Sequence, residues 1–246
     1  MTRKLETKTI IQLGLVPFTA FALKSFYSTA SVNDLRWILA PTASLVELIT
    51  STHFEFESQA GYMSSDHTFL IAASCSGVNF LIISFVMLTV AKISRSWPRN
   101  IEWRFFPIAM LVAYLTTLLA NTTRIVAALS FQKLEIGWLG REEIHRLEGI
   151  FVYFGFLFLL FVASERLSLR KRYPGSVLAR RSLLPLAIYY AATLGIPLIG
   201  GAYRDPAFWR HSIFVFMLPL ILILPFAIYC AVTNERHSGK ENIGLS

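Results

Sequence analysis

Residues 105–130 decide the fold and read FFPIAMLVAYLTTLLANTTRIVAALS. No charged residue occurs in this run before Arg124. An α-helix rises about 1.5 Å per residue, so a helix of this length crosses the hydrocarbon core of a membrane, which is about 30 Å thick. Soluble folds rarely contain such a run, and the stretch therefore predicts a transmembrane helix.

Comparable apolar runs recur along the 246-residue chain, of which 54% is hydrophobic. Ordinary soluble domains are about 45–50% apolar even with glycine included. We therefore predict an all-α fold, a polytopic membrane helical bundle formed by one integral membrane domain over residues 1–246. The expected transmembrane helices are Thr9–Ala30, Thr68–Ile93, Phe105–Ser130, Gly149–Leu167, Leu183–Gly200 and Ile213–Val232.

The first of these segments is too long for the apolar part of a signal peptide, so we expect it to be a membrane helix. Lys24 lies near its far end, and its long side chain is expected to extend to the membrane interface. The second cysteine of the chain, Cys230, is expected near the opposite membrane face from Cys75. A disulfide between the two is therefore not expected.

The formal charge of +8 is concentrated at the N-terminus and in two connections between spans. Loops rich in lysine and arginine face the cytoplasm, so these segments are expected inside. Residues 51–66 contain neither lysine nor arginine and are expected outside. This pattern accounts for the charge without a nucleic-acid partner, and none is expected. The basic residues are Arg3, Lys4, Lys8, Lys92, Arg95, Arg99, Arg104, Arg166, Arg170, Lys171, Arg172, Arg180 and Arg181.

The segment Leu35–Thr50 is also apolar, but it is short, contains Pro41 and carries Arg36 and Glu47. A full crossing here would reverse every later loop and break the charge pattern. We therefore expect an interfacial or re-entrant segment on the outer side. A seventh transmembrane helix is the alternative.

Strongly polar groups inside membrane spans are costly and often mark function. The first such group is ASCSGVN at residues 73–79. In a helix, Cys75 and Asn79 share one face with Thr68, and Gly77 lets another backbone approach closely. Taken alone, the segment favours small-residue packing around an inert cysteine.

The second group is a polar stripe on the helix predicted for residues 105–130. Tyr114, Thr117, Asn121 and Arg124 recur at helical spacing and so share one face. An arginine near a helix end can simply extend to the interface as an anchor. Such an anchor does not require a polar stripe beneath it, so the stripe favours a functional role.

The third group is His145, just before the span predicted at residues 149–167. Alone, an interfacial histidine is ordinarily just solvated. The loop charges nevertheless place Cys75, Arg124 and His145 on the outer side of the membrane, the first two about 10 Å deep. Three separate helices are thus expected to bring a thiol, a guanidinium and an imidazole to one level.

These three side chains suit thiol chemistry. A thiol attacks as the thiolate, and a nearby histidine or arginine favours that form. Histidine can accept the thiol proton and later protonate a leaving amine. Arginine keeps its charge and can stabilise a thiolate or an oxyanion, most strongly where the dielectric constant is low.

Three motifs together resemble the signature of the exosortase/archaeosortase family. They are Cys-Ser-Gly at residues 75–77, Asn-x-x-Arg-Ile at residues 121–125 and His-x-x-x-Gly at residues 145–149. The resemblance covers about residues 71–154, within an expected catalytic core of about residues 68–167. The context CSGVNF at residues 75–80 is similar to the exosortase K subgroup.

The resemblance implies a multi-pass enzyme of a bacterial inner membrane with its active site facing the periplasm. Its substrates would be the C-terminal sorting tails of exported proteins, each a short motif, a hydrophobic span and a basic cluster. It would cleave at the motif and transfer the protein to an acceptor such as a membrane lipid or glycan. The implied catalytic residues are Cys75 as nucleophile, His145 as general acid/base and Arg124 as electrostatic stabiliser. The implied supporting residues are Ser76, Gly77, Asn79, Asn121 and Gly149, and no cofactor is expected.

Two other interpretations compete with this one. Glu142 and Glu143 followed by Arg146 suggest a glutamate-based intramembrane protease, but that pattern requires one more residue before the arginine. A transporter subunit or assembly factor that binds an anionic group through Arg124 remains open and would make Cys75 incidental. No metal site is expected from the scattered residues of the outer connection, which are His53, Glu55, Glu57, Asp66 and His67.

Overall fold

The computed structural model describes residues 7–96, 101–131, 141–168, 177 and 180–243. The chain divides into two compact units, residues 1–152 and residues 153–246, and each is described by itself. The protein is about 80% helical, and five of the described helices are long and apolar enough to cross a membrane. It is thus a helical membrane protein, as predicted. The number of crossings and the single-domain organisation stay predictions.

The helices of the first unit alternate with a small sheet. They are α1 (Thr7–Thr29), α2 (Arg36–Thr50), α3 (Val78–Ser96), α4 (Phe105–Phe131) and α5 (Arg141–Ser168), within which the boundary between the units falls. The candidate spans in α1 and α4, residues 10–29 and 105–131, agree with the predicted ones to within a few residues.

Helix α2 packs against α4 through its buried face. Ile38, Leu39 and Val46 share a hydrophobic cluster with Leu118 and Ile125 of α4. Its 15 residues span about 22 Å, which is short of the membrane core. This length favours the interfacial or re-entrant prediction over a seventh crossing.

A small three-stranded antiparallel sheet follows α2, an element that the all-α prediction did not include. Its strands are β1 (Phe54–Glu57), β2 (Gly61–Ser64) and β3 (Leu70–Ile71), in the order β1-β2-β3. The sequence FEFE in β1 alternates with a period of two, which suits a strand half-buried on one face. Gly61, at φ +135°, lies at the close of the hairpin, where a Cβ would collide with the Ile71 carbonyl.

The second predicted span begins later than expected. Residues 70–71 pair in the sheet, Ala73–Cys75 form a single 3-10 turn, and α3 begins only at Val78. The predicted helical start at Thr68 is therefore wrong, because the backbone of residues 70–71 pairs with β2 in the sheet. The candidate span runs from residue 73 to residue 96.

Polar contacts fix the directions of α1, α3 and α4. The Gln12 amide, near the start of α1, exchanges two hydrogen bonds with the backbone of Ile101, just before α4 (2.6 and 3.2 Å). Lys24, near the end of α1, contacts Asn79 at the start of α3. Helix α3 therefore runs opposite to α1 and α4. We call the end where α3 begins and the other two finish the thiol end.

The second unit is held together by aromatic packing and a buried ion pair, in which Arg181 Nε lies 3.3 Å from the fully buried Glu165 carboxylate. Its elements after α5 are α6 (Leu183–Tyr190), a π-helical turn (Ala191–Gly195), α7 (Ile196–Ile199), a 3-10 turn (Ala202–Arg204) and α8 (Pro206–Ile243). The predicted fifth span corresponds to the apolar stretch over residues 183–199, which is shorter than the five candidate spans. The predicted sixth span lies within α8, whose candidate crossing is residues 206–226.

Candidate functional site at the thiol end

Cys75 lies in a tight turn that connects the sheet to α3. The turn is closed by hydrogen bonds from the Cys75 amide to the Ala72 carbonyl (2.9 Å) and from the Ser76 amide to the Ala73 carbonyl (3.1 Å). The Gly77 carbonyl then accepts the first bond of α3, from the Leu81 amide (3.0 Å). The thiol is partly buried and precedes α3, so the predicted position on the face of that helix is wrong. The predicted depth of about 10 Å stays a prediction.

Asn121 of α4 holds this turn in place. Its side-chain amide is fully buried and donates a hydrogen bond to the Cys75 carbonyl. Gly77 adopts φ +72°, and a Cβ there would lie 3.1 Å from both Asn121 Cγ and Thr117 Cγ2. Glycine is therefore required at residue 77 for backbone conformation and for space.

The polar stripe of α4 connects this helix to three other parts of the first unit. The Tyr114 hydroxyl donates to the Trp37 carbonyl of α2 (2.8 Å), and the two rings stack at 5.7 Å. The Thr117 hydroxyl donates a hydrogen bond to the Ala113 carbonyl of the same helix (2.7 Å), and its methyl group faces Gly77. The stripe thus serves as a row of inter-element contacts along α4.

Arg124 is the residue of the α4 stripe that lies beside α5. The arginine is half-buried, and a Cβ added at Gly149 would lie 3.8 Å from its Nε. Gly149 follows His145 by about one helical turn. His145 belongs to α5, but its side chain lies outside the described residues. The structure therefore links the Cys75 turn, Asn121, Arg124 and Gly149, and the position of the imidazole stays a prediction.

Lys24 is a residue of this end that sequence reasoning did not assign to the site. Its ammonium donates to Asn79 Oδ1 (2.9 Å) and lies 5.4 Å from the centre of the Tyr27 ring. A lysine late in an otherwise apolar span is itself a signal of function, because charge inside a span is costly. Its position near the end of the span fits an interfacial anchor equally well, and that was the role predicted from the sequence.

Ser76 has a different environment from its neighbour Cys75. Its side chain is fully buried, and its hydroxyl has no hydrogen-bond partner among the described residues. Thr122, beside Asn121, is also buried, and within the same part of the chain its hydroxyl is likewise unpartnered. Two buried hydroxyls, one in the Cys75 turn and one in α4, are thus unsatisfied within the described part of the chain.

Two carboxylates lie beside the sheet, Asp66 in the connection between β2 and β3 and Glu47 near the end of α2. Hydrogen bonds with Ser64 and, to a lesser extent, with Thr68 lower the pKa of Asp66 below its usual value. Glu47 accepts a hydrogen bond from the Phe54 amide (2.6 Å) and lies 3.1 Å from His53 Nδ1. Over the described ranges, no three His, Cys, Asp or Glu side chains converge to hold a metal ion.

No family model, no curated protein and no solved structure matches the chain. The likeness to the exosortase/archaeosortase family thus rests on the three motifs, and the activity that it implies stays a prediction.

Proposed function

We propose that this protein is a membrane-embedded cysteine transpeptidase or peptidase of the exosortase/archaeosortase type. The observation that supports this best is the hydrogen bond from Asn121 to the Cys75 carbonyl. It joins the first two motifs, which are far apart in the chain, at the thiol end. Arg124 follows Asn121 by three residues and lies beside Gly149 of the third motif.

The proposed reaction begins with attack of the Cys75 thiolate on the carbonyl carbon of a peptide bond in a sorting tail. His145 takes the thiol proton and returns it to the leaving amine, which leaves a thioester on Cys75. Arg124 stabilises negative charge during these steps. The thioester then transfers to an acceptor, a membrane lipid or glycan, or to water.

Cys75 has the exposure that this role requires. Reactive cysteines are partly accessible, whereas inert structural ones are fully buried. Cys75 is half-buried, whereas the nearby Ser76 and Val78 are buried. The rigid turn beneath the thiol, pinned by Asn121 and Gly77, would hold the nucleophile in one position for attack.

The proposed location is a bacterial inner membrane with Cys75 on the periplasmic side. The loop charges support this orientation, because Ser65 lies in a connection free of lysine and arginine and Ser96 lies in a basic one. Cysteines placed singly at these two positions should react with a membrane-impermeant maleimide from opposite sides. Labelling of both from the same side would contradict the orientation.

Proteomics of the native cell tests the activity even though the substrate is unidentified. The gene is deleted and replaced by the wild type or by Cys75→Ala, and C-terminal peptides of membrane-associated exported proteins are compared by mass spectrometry. A set of proteins should lose hydrophobic C-terminal tails with the wild type and retain them with Cys75→Ala, at equal enzyme abundance. Identical C-termini in the two strains would exclude thiol catalysis and favour an anion-binding protein that depends on Arg124.

A further inference from the structure

The orientation of the Asn79 side-chain amide is fixed by its contact with Lys24. An ammonium group has three donors and no acceptor, so the Asn79 atom that faces it at 2.9 Å is the amide oxygen. The amide nitrogen must then point away from Lys24. Among the described residues it donates to no acceptor. Asn79 thus presents two oriented and unused N–H donors.

These donors lie four residues after Cys75, in the first turn of α3. From residue 75 to residue 79 the burial alternates: Ser76 and Val78 are 0% and 1% exposed, Cys75 is partly exposed and Asn79 is exposed. The thiol and the Asn79 amide are therefore both accessible where the Cys75 turn leads into α3. Asn121, the other amide at this turn, is buried and bonded to the Cys75 carbonyl.

We propose that Asn79 is a catalytic residue that donates a hydrogen bond to the oxyanion formed when Cys75 attacks its substrate, and that Lys24 positions the Asn79 amide for this task. This inference rests on the proposed function. An amide side chain is a suitable oxyanion donor because it is neutral and needs no proton transfer. The nearby ammonium also polarises the amide and strengthens its N–H donors.

The electron movements define what Asn79 does. As the Cys75 sulfur bonds to the carbonyl carbon, the π-electron pair of the carbonyl moves to its oxygen, which becomes an oxyanion. The Asn79 N–H group stabilises that negative charge. The pair then re-forms the carbonyl bond, the C–N bond breaks, and the amine leaves with the proton supplied by the general acid. A thioester on Cys75 remains.

Two reagents separate this role from activation of the thiol. Iodoacetamide alkylates a thiolate by direct displacement at carbon and forms no oxyanion, whereas p-nitrophenyl acetate acylates it through a tetrahedral oxyanion. Both rates are measured at Cys75 by mass spectrometry on the full chain in detergent, in a Cys230→Ser background that leaves one cysteine. Asn33→Ala, which removes an exposed asparagine from the connection between α1 and α2, is the matched control.

Asn79→Ala should slow acylation by about 10²–10³-fold and leave alkylation within about twofold of the parent. Asn79→Asp should be at least as slow in acylation, because a carboxylate cannot donate and repels the oxyanion. Lys24→Met should slow acylation by about tenfold, since the amide persists but loses its fixed orientation. Combining Lys24→Met with Asn79→Ala should add nothing to Asn79→Ala alone. Asn33→Ala should change neither rate.

Three results would overturn the inference. Acylation of Asn79→Ala within about threefold of the parent would remove Asn79 from the oxyanion site. An equal fall in acylation and alkylation would show that Asn79 only positions the thiol. A parent protein that is alkylated at Cys75 but never acylated there would contradict the proposed function itself, and this inference would fall with it.

Discussion

Residues 1–152 and residues 153–246 are stabilised by different kinds of contact. In the described part of the first unit, buried polar side chains reach from one element to the next, as Asn121 does to Cys75 and Gln12 to Ile101. The second unit contains the buried ion pair of Arg181 with Glu165 and, more prominently, paired aromatic rings. Their paired centres lie 5.1–5.3 Å apart in the pairs Phe154–Tyr189, Phe158–Phe226 and Tyr190–Phe216.

The two kinds of contact differ in how precisely they position a side chain. Apolar side chains gain little by leaving lipid for a protein interior, so rings associate mainly through shape. A buried hydrogen bond fixes both the distance and the relative direction of the two groups, and its loss leaves a buried polar group without a partner. The first unit is therefore expected to hold the chemistry and the second to tolerate substitution that preserves volume. For each substitution in the first unit, a matched substitution in the second unit serves as the control.

The largest effect is expected from Arg124→Lys. A guanidinium offers a planar fork of donors and never loses its charge, whereas an ammonium is a compact, strongly hydrated charge. Processing of exported proteins should fall by about 10²–10³-fold at equal protein abundance. Arg204→Lys, at an exposed arginine of the second unit, should change processing by less than about twofold. Turnover by Arg124→Lys within about threefold of wild type would show that Arg124 is only an interfacial anchor.

A smaller effect on stability is expected from Gly77→Ala. Residue 77 adopts φ +72°, and the new Cβ would press on Asn121 and Thr117 at 3.1 Å. The free energy of unfolding in mixed micelles should fall by about 1–3 kcal/mol, and the acylation rate at Cys75 should fall as well. Gly155→Ala is the matched change, because nothing lies within 4 Å of its Cβ. It should be neutral or stabilise α5 by up to about 1 kcal/mol. Equal effects of the two changes would remove the distinction between the units at this turn.

The smallest effects are expected from two tyrosine hydroxyls. Tyr114 donates to the Trp37 carbonyl, and Tyr190 donates to the Phe216 carbonyl. Replacing either with phenylalanine keeps the ring and should lower the free energy of unfolding by about 0.5–1.5 kcal/mol. Only Tyr114→Phe should also slow acylation of Cys75, by about twofold, because α2 and α4 then lose part of their alignment. A slower rate with Tyr190→Phe would show that positioning also depends on the second unit.

Sequence alone predicted the elements that local rules determine. The run over residues 105–130 had to be helical, because a backbone in lipid must satisfy its own hydrogen bonds. The α4 stripe was also predictable, since Tyr114, Thr117, Asn121 and Arg124 follow the helical period. That period places the four side chains on one face whatever their contacts are.

Long-range contacts explain what sequence did not predict. Residues 73–77 are compatible with a helix or a turn, and Gly77 adopts φ +72° in a turn closed by β3 on one side and Asn121 on the other. The bond between Lys24 and Asn79 joins residues 55 positions apart, and no local pattern pairs them. The sheet was not predicted because β1 and β2 lie in a connection for which loop charge indicates only a membrane side, and β3 lies in the apolar start of the predicted second span.

Capture of the thioester tests directly whether Cys75 is the nucleophile. Hydroxylamine added to cells should intercept the acyl-enzyme and leave a hydroxamate at the new C-terminus of processed proteins, with Cys75 regenerated as the thiol. Mass spectrometry should detect these hydroxamates with the wild type and none with Cys75→Ala at equal abundance. Processed proteins that never carry a hydroxamate, or that carry it equally with Cys75→Ala, would contradict the account.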